Sequence, residues 1–134
     1  MPIELEILAA SIVLGLAHIL LASHSASLQR GYWWAAGSRD EPAPPLTGIA
    51  GRFERASHNF FETFPLFLGA VLITITLDRH NQLTLLGAQA YLGGRIAFLA
   101  LYALGVPVIR SLAWNAATIG ALMVLAGAFI GPTS

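Results

Sequence analysis

The chain has 134 residues, of which 56% are hydrophobic and only 10% charged, with seven arginines balancing seven acids and no lysine. Soluble domains carry about 25% charged residues, so this composition excludes a disordered chain and argues against an ordinary soluble domain. A neutral chain without a basic cluster is also a poor nucleic-acid binder. The absence of cysteine removes disulfides, thiolate metal sites and a cysteine nucleophile, so any thiol chemistry needs a thiol brought by a substrate.

Four apolar segments follow one another along the chain. A helix that crosses the bilayer core needs about 20 residues. In lipid the backbone must satisfy its own hydrogen bonds, so each segment is expected to be a helix. The reading is an all-α membrane protein: one domain over 1–134, a four-transmembrane-helix bundle with spans at about 3–26, 51–77, 82–104 and 111–130. The first span contains one polar intruder, His18. It starts with Glu4 and Glu6 rather than the basic residues of a signal peptide, and is read as a retained span. Residues 24–51 form a long polar loop in which Trp33 and Trp34 fit an interfacial belt. Pro65 is expected to kink the second span by freeing the carbonyl of Phe61. A tight turn over Asp78–Gln82 offers Asn81 as the N-cap of the third span, Gly105 and Pro107 stop that span, and Ser111 is expected to cap the fourth. Ala113, Ala117 and Ala121, with Gly127 and Gly131, supply the small residues that let membrane helices approach closely. Arg30, Arg39, Arg52, Arg55 and Arg110 fall on one side of the membrane and Arg79 alone on the other. The positive-inside rule then puts the long first loop in the cytoplasm and both termini on the opposite side.

Polar residues inside the spans are the candidates for chemistry. Arg55, Asn59 and Glu62 fall at i, i+4 and i+7, one stripe of a helix, with Arg52 a turn earlier. A charge at the bilayer centre costs roughly 2.5–3.5 kcal/mol on insertion scales, so Glu62 is expected to face a bundle interior and to have a partner. Tyr91, Arg95, Phe98 and Tyr102 form a second stripe on the third span. Arg95 lies nine residues before Leu104, about 13 Å from that end. At that depth it is expected to reach a carboxylate, with Glu62 as the candidate; a pair that only fixes helix register explains it equally well.

The second span enters the membrane on the side where the third leaves it. Arg52, Arg55, Asn59, Glu62, Arg95, Tyr102 and Arg110 therefore share one half of the bilayer. A cleft rich in arginine suits a small ligand with carboxylates, which the planar guanidinium binds in a bidentate way. Glu62 suits an ammonium on the same ligand. A competing arrangement, Glu54, His58 and Glu62 spaced four apart, has the flavour of di-metal bundles. It lacks a second carboxylate–histidine helix, and no metal site is expected.

The run Arg55-Ala56-Ser57-His58-Asn59-Phe60-Phe61-Glu62-Thr63-Phe64-Pro65-Leu66-Phe67 resembles the membrane-associated proteins in eicosanoid and glutathione metabolism, marked by Arg-Ala-x-x-Asn-x-x-Glu followed by Pro-Leu-Phe. The resemblance extends over nearly the whole chain, through the long first loop, the deep arginine of the third span, and the Pro and Arg after it. It implies a homotrimer with glutathione as thiol co-substrate, held between neighbouring subunits in the cytoplasmic half. By that resemblance Arg55, Asn59 and Glu62 match the glutathione-binding Arg, Asn and Glu, Arg52 matches a further arginine, and Tyr102 a tyrosine that contacts glutathione. Arg95 is counted in the same binding set. Arg110 and Arg30 are the candidates for the catalytic arginine that stabilises the thiolate. Ser57, Thr63 and Phe98 depart from the leukotriene-forming members, and Phe98 lacks their hydroxyl, which argues against leukotriene-type activity.

Three function classes follow. The first is an integral-membrane glutathione transferase or peroxidase-like enzyme. A cation lowers the thiol pKa from its free value of about 8.5, and the thiolate attacks a lipophilic electrophile that enters from the bilayer. The second is a non-catalytic trimeric membrane protein that binds a membrane lipid or another thiol. A metal-dependent membrane oxidoreductase on Glu54, His58 and Glu62 ranks third.

Overall fold

The computed structural model describes residues 1–131. They form α1 (Ile3–Arg30), α2 (Tyr32–Ala36), α3 (Gly48–Leu77), α4 (Gln82–Ala103) and α5 (Pro107–Ile130). Of these, α1, α3, α4 and α5 are long and apolar enough to cross a membrane, and correspond to the four expected spans.

Three of the expected ends move, each for a local reason. Nothing between Ser23 and Arg30 breaks a helix, so α1 continues to Arg30 and stops at Gly31, whose φ of 98° suits only glycine. The expected loop over 24–51 is interrupted by α2, a single turn and a half built from Tyr32-Trp33-Trp34-Ala35-Ala36, and α3 already starts at Gly48. Proline is tolerated in the first turn of a helix because its missing N–H has no partner there anyway. The fourth span, α5, therefore starts at Pro107 rather than at 111. Ser111 consequently lies inside α5 and its hydroxyl donates to the Pro107 carbonyl instead of capping the helix. The helix α3 runs unbroken through Pro65.

Small residues fix how α4 and α5 pack. A Cβ placed on Gly120 would lie 2.5 Å from the Gly87 carbonyl oxygen, and one on Gly94 would lie 2.9 Å from the Ala113 carbonyl. Only glycine permits backbones this close, and the expected small-residue face of the fourth span is turned onto α4. Around this pair the core gathers Leu8, Phe67, Val71, Ala88, Tyr91, Ala117 and Val124, with the Phe67 and Tyr91 rings stacked at 4.0 Å.

At the α3–α4 turn the polar groups find partners within the chain. The Asn81 side chain accepts from the Thr84 backbone N–H, and the Thr84 hydroxyl accepts from the Asn81 backbone N–H, a reciprocal capping box. The Asn81 amide also donates to the carbonyls of Gly127 and Gly131, 2.9 Å each, closing the open end of α5. The Thr84 hydroxyl donates to buried Glu4 at 2.6 Å, and His80 lies 3.5 Å from the same carboxylate. At the opposite end α1 and α3, about 42 and 45 Å long at 1.5 Å per residue, outrun a 30 Å hydrocarbon core. Part of each helix therefore extends outside it.

Candidate functional site

The C-terminal end of α4 is a centre of partial negative charge, because its last carbonyls have no intrahelical donors. Arginines from two other helices converge there. Arg52 of α3 donates from Nη1 to the Ala103 carbonyl at 3.2 Å. Its guanidinium rests against Gly105, where a Cβ would come within 3.1 Å of Cζ. One turn on, Arg55 donates from Nε to the Tyr102 hydroxyl at 3.1 Å. Arg110 of α5 lies over the Tyr102 ring, Cζ to centroid 4.6 Å. Tyr102 thus joins Arg55 and Arg110, and Arg52 on the adjacent Ala103 carbonyl completes a three-arginine group drawn from α3 and α5. Among the described residues the ion pairs join His80 to Glu4 and to Asp78, away from this group, so none of the three guanidiniums is neutralised by a carboxylate of its own chain.

Beside the group opens a pocket of about 430 Å³, lined by Asn59, Phe98, Tyr102, Arg110, Ser111, Trp114 and Asn115. Asn59 sits at its inner wall, held by Arg95, which donates from Nη1 to Asn59 Oδ1 at 2.8 Å. Arg95 is fully buried between the Phe98 and Phe60 rings, 4.4 and 5.3 Å from Cζ to the centroids. The expected Arg95–Glu62 pair is therefore corrected: Arg95 takes an amide oxygen. Glu62 lies three residues further along α3, about 60° round the helix from Asn59, which is enough to leave it exposed at the edge of the same stripe. Arg55 is exposed too.

Of the remaining candidates, Arg30 stands apart from Tyr102. Its Nε donates to the Pro44 carbonyl at 3.0 Å and its guanidinium lies 5.4 Å from the Trp34 ring. Glu54, His58 and Glu62 remain on one helix, and no cluster of three His, Asp or Glu side chains suited to a metal ion occurs among the described residues.

Sequence reasoning missed three features. His18, read as an ordinary polar residue, is 1% exposed and stacks on Phe60 at 4.8 Å, with neither ring nitrogen hydrogen-bonded. Its signal was present: one imidazole in an otherwise apolar span. Trp114 brings a buried indole N–H without a partner to the pocket wall, and Asn115 lines the same wall. Both follow Arg110 by about one turn on α5, and that periodicity was the available clue.

The sequence profile of the MAPEG family matches residues 7–131. The chain belongs to the MAPEG family. The match takes in most of α1 and the whole of the other three spans of this MAPEG protein, including the Arg55–Glu62 stripe and the Tyr102–Arg110 corner. Comparison with curated proteins and with solved structures finds no match.

Proposed function

We propose that this MAPEG protein is an integral-membrane, glutathione-dependent transferase or peroxidase-like enzyme that joins the glutathione thiolate to a lipophilic electrophile. The observation that carries the reading is the three-arginine group at the C-terminal end of α4, two of its members on Tyr102 and none paired with a carboxylate among the described residues, at the rim of a 430 Å³ pocket. Glutathione is a tripeptide with two carboxylates, one ammonium and a thiol, and the donor set fits it. Arg52 and Arg55 suit its carboxylates through bidentate charge-assisted hydrogen bonds. Asn59, with its orientation held by Arg95, suits a backbone amide or carboxylate, Tyr102 offers a hydroxyl between them, and Glu62 suits the ammonium. Glutathione is the thiol co-substrate that a cysteine-free chain must import. Arg110, half-buried at the pocket wall, is the catalytic arginine that holds the sulfur as thiolate. Arg30 is the less suitable of the two candidates because Pro44 and Trp34 already engage it.

A homotrimer completes this reading. Arg55, although it bonds Tyr102, and Glu62 are both exposed on the single chain, and ionisable side chains at membrane depth face protein or a water-filled cavity rather than lipid. A neighbouring copy supplies that cover and makes the second wall of the glutathione site. The lipophilic substrate then enters sideways from the bilayer. The arginine-rich end, with the long first loop, faces the cytoplasm, and both termini face the other side.

Calorimetric titration of glutathione into detergent-purified protein tests this directly. Saturable binding in the wild type, lost in Arg55→Ala, is the expected result, followed by conjugation of a generic aryl halide electrophile. A folded wild-type protein that takes up no glutathione would sink the proposal. A non-catalytic membrane protein that binds lipid or another thiol would then remain.

A further inference from the structure

At the arginine-rich end, away from Tyr102, lies a second basic cleft that the proposed chemistry does not use. On α1, Ser23, Ser27 and Arg30 stand four and three residues apart and share one face. This face meets α2 and the segment after it in a half-open cleft of about 130 Å³, lined by Ser23, Ser27, Arg30, Trp34 and Arg39 among others. Arg39 reaches the cleft because its backbone is left-handed, φ 59°, a conformation that non-glycine residues rarely adopt. From there its Nε and Nη2 both donate to the Ala35 carbonyl, at 2.9 and 2.7 Å. The two guanidiniums face one indole: Arg30 is 5.4 Å and Arg39 5.7 Å from the Trp34 ring.

Two like charges drawn onto one aromatic ring repel each other, and neither is paired with a carboxylate, since the ion pairs among the described residues involve only His80, Glu4 and Asp78. The fixed carbonyl partners, Pro44 for Arg30 and Ala35 for Arg39, orient both forks while leaving N–H donors over. Such a site lacks an anion. Its surroundings say which kind: the two helices that form the cleft also carry exposed apolar and interfacial side chains outside it, Leu28 (75% exposed) on another face of α1 and Trp33 (92% exposed) beside Trp34 on α2, as a membrane surface selects. Asp40 and Glu41 follow Arg39 in the chain and face a separate shallow pocket with it, which disfavours a multiply charged soluble polyanion.

We propose that Arg30, Arg39, Ser23 and Ser27 form a binding site for the phosphate of a membrane lipid headgroup, with Trp34 as its aromatic floor and the exposed Trp33 beside it at the membrane interface. The shared chemistry is a phosphate ester; the lipid is the source that the apolar flank selects. The site is independent of glutathione binding, and it holds the first loop down on the membrane surface.

The test is titration of the full-length, detergent-purified protein with a short-chain phosphatidylglycerol, followed by tryptophan fluorescence. The same acyl chains on a phosphate-free glycerol and inorganic phosphate alone serve as comparison ligands. The phosphatidylglycerol is expected to bind saturably and more tightly than either. Arg39→Gln is expected to weaken it about fivefold, the ratio that one basic residue carries at an anionic surface. Arg39→Lys keeps the charge without the fork and is expected to fall between. Glutathione affinity should be unchanged in both variants, which also shows that they are folded. Equal affinity for the phosphate-free lipid, or for Arg39→Gln and the wild type, overturns the proposal. Inorganic phosphate that binds as tightly as the lipid overturns the lipid assignment. The wild-type comparison stands even where a variant does not fold.

Discussion

At the α3–α4 turn, Asn81 serves the start of α4 and the end of α5 at once, and Thr84 passes a hydrogen bond on to buried Glu4. At the other end of the same helices, Arg55 and Arg110 meet at Tyr102 without a carboxylate, Glu62 is exposed, and the Trp114 indole N–H has no partner. Both ends hold polar groups where lipid would make them costly. One end spends them on closing helix termini, which stabilises the bundle and leaves little to bind anything. The other leaves donors and charge unsatisfied next to a pocket, as a binding site requires. Polarity in a membrane bundle therefore identifies a site only where partners are lacking.

Four substitutions break or sharpen this contrast. Arg55→Ala removes a charge-assisted donor from the open end, and glutathione binding is expected to weaken about 10- to 100-fold by calorimetry, with the unfolding temperature barely changed. Gly120→Ala pushes a methyl into the Gly87 carbonyl. Because backbone cannot give way cheaply, a loss of roughly 1–3 kcal/mol in unfolding stability is expected. Asn81→Ala uncaps α4 and strips two carbonyls of their donor at the closed end. Thermal unfolding in detergent is expected to show a loss of about 1 kcal/mol, with glutathione affinity intact. Arg95→Met keeps a long side chain between Phe60 and Phe98 but releases Asn59. Glutathione affinity should fall about fivefold, in line with one net hydrogen bond. A stability loss without an affinity change in Arg95→Met would assign that residue to the scaffold alone.

Much of this arrangement was legible in the sequence. The lengths of the spans follow from the bilayer, and Asn81 followed three residues later by Thr84 is a local capping signal that needs no tertiary information. The stripe Tyr91, Arg95, Phe98 does turn inward, as its spacing implies, while Tyr102 lies half-buried at its end. What failed was partner choice. A buried guanidinium was expected to seek a carboxylate, yet packing decides which α3 residue faces α4, and the face that brings Phe60 against His18 and Arg95 brings Asn59 rather than Glu62. The short helix α2 escaped notice because five residues are too few to establish a period. Proline at the start of α5 was read as a stop for the helix before it, although the same residue also opens the next.

Glu62 has a consequence for the life of the protein in the cell. Glu62 is exposed on the single chain, and a newly inserted copy whose Glu62 meets acyl chains bears a cost that approaches roughly 2.5–3.5 kcal/mol towards the bilayer centre. At tenfold per 1.4 kcal/mol, such a chain is disfavoured by up to about three-hundredfold until another surface covers it. Steady-state abundance is then expected to rise more steeply than synthesis, with orphan chains removed by membrane proteases. Glu62→Gln is expected to make that relation more nearly linear.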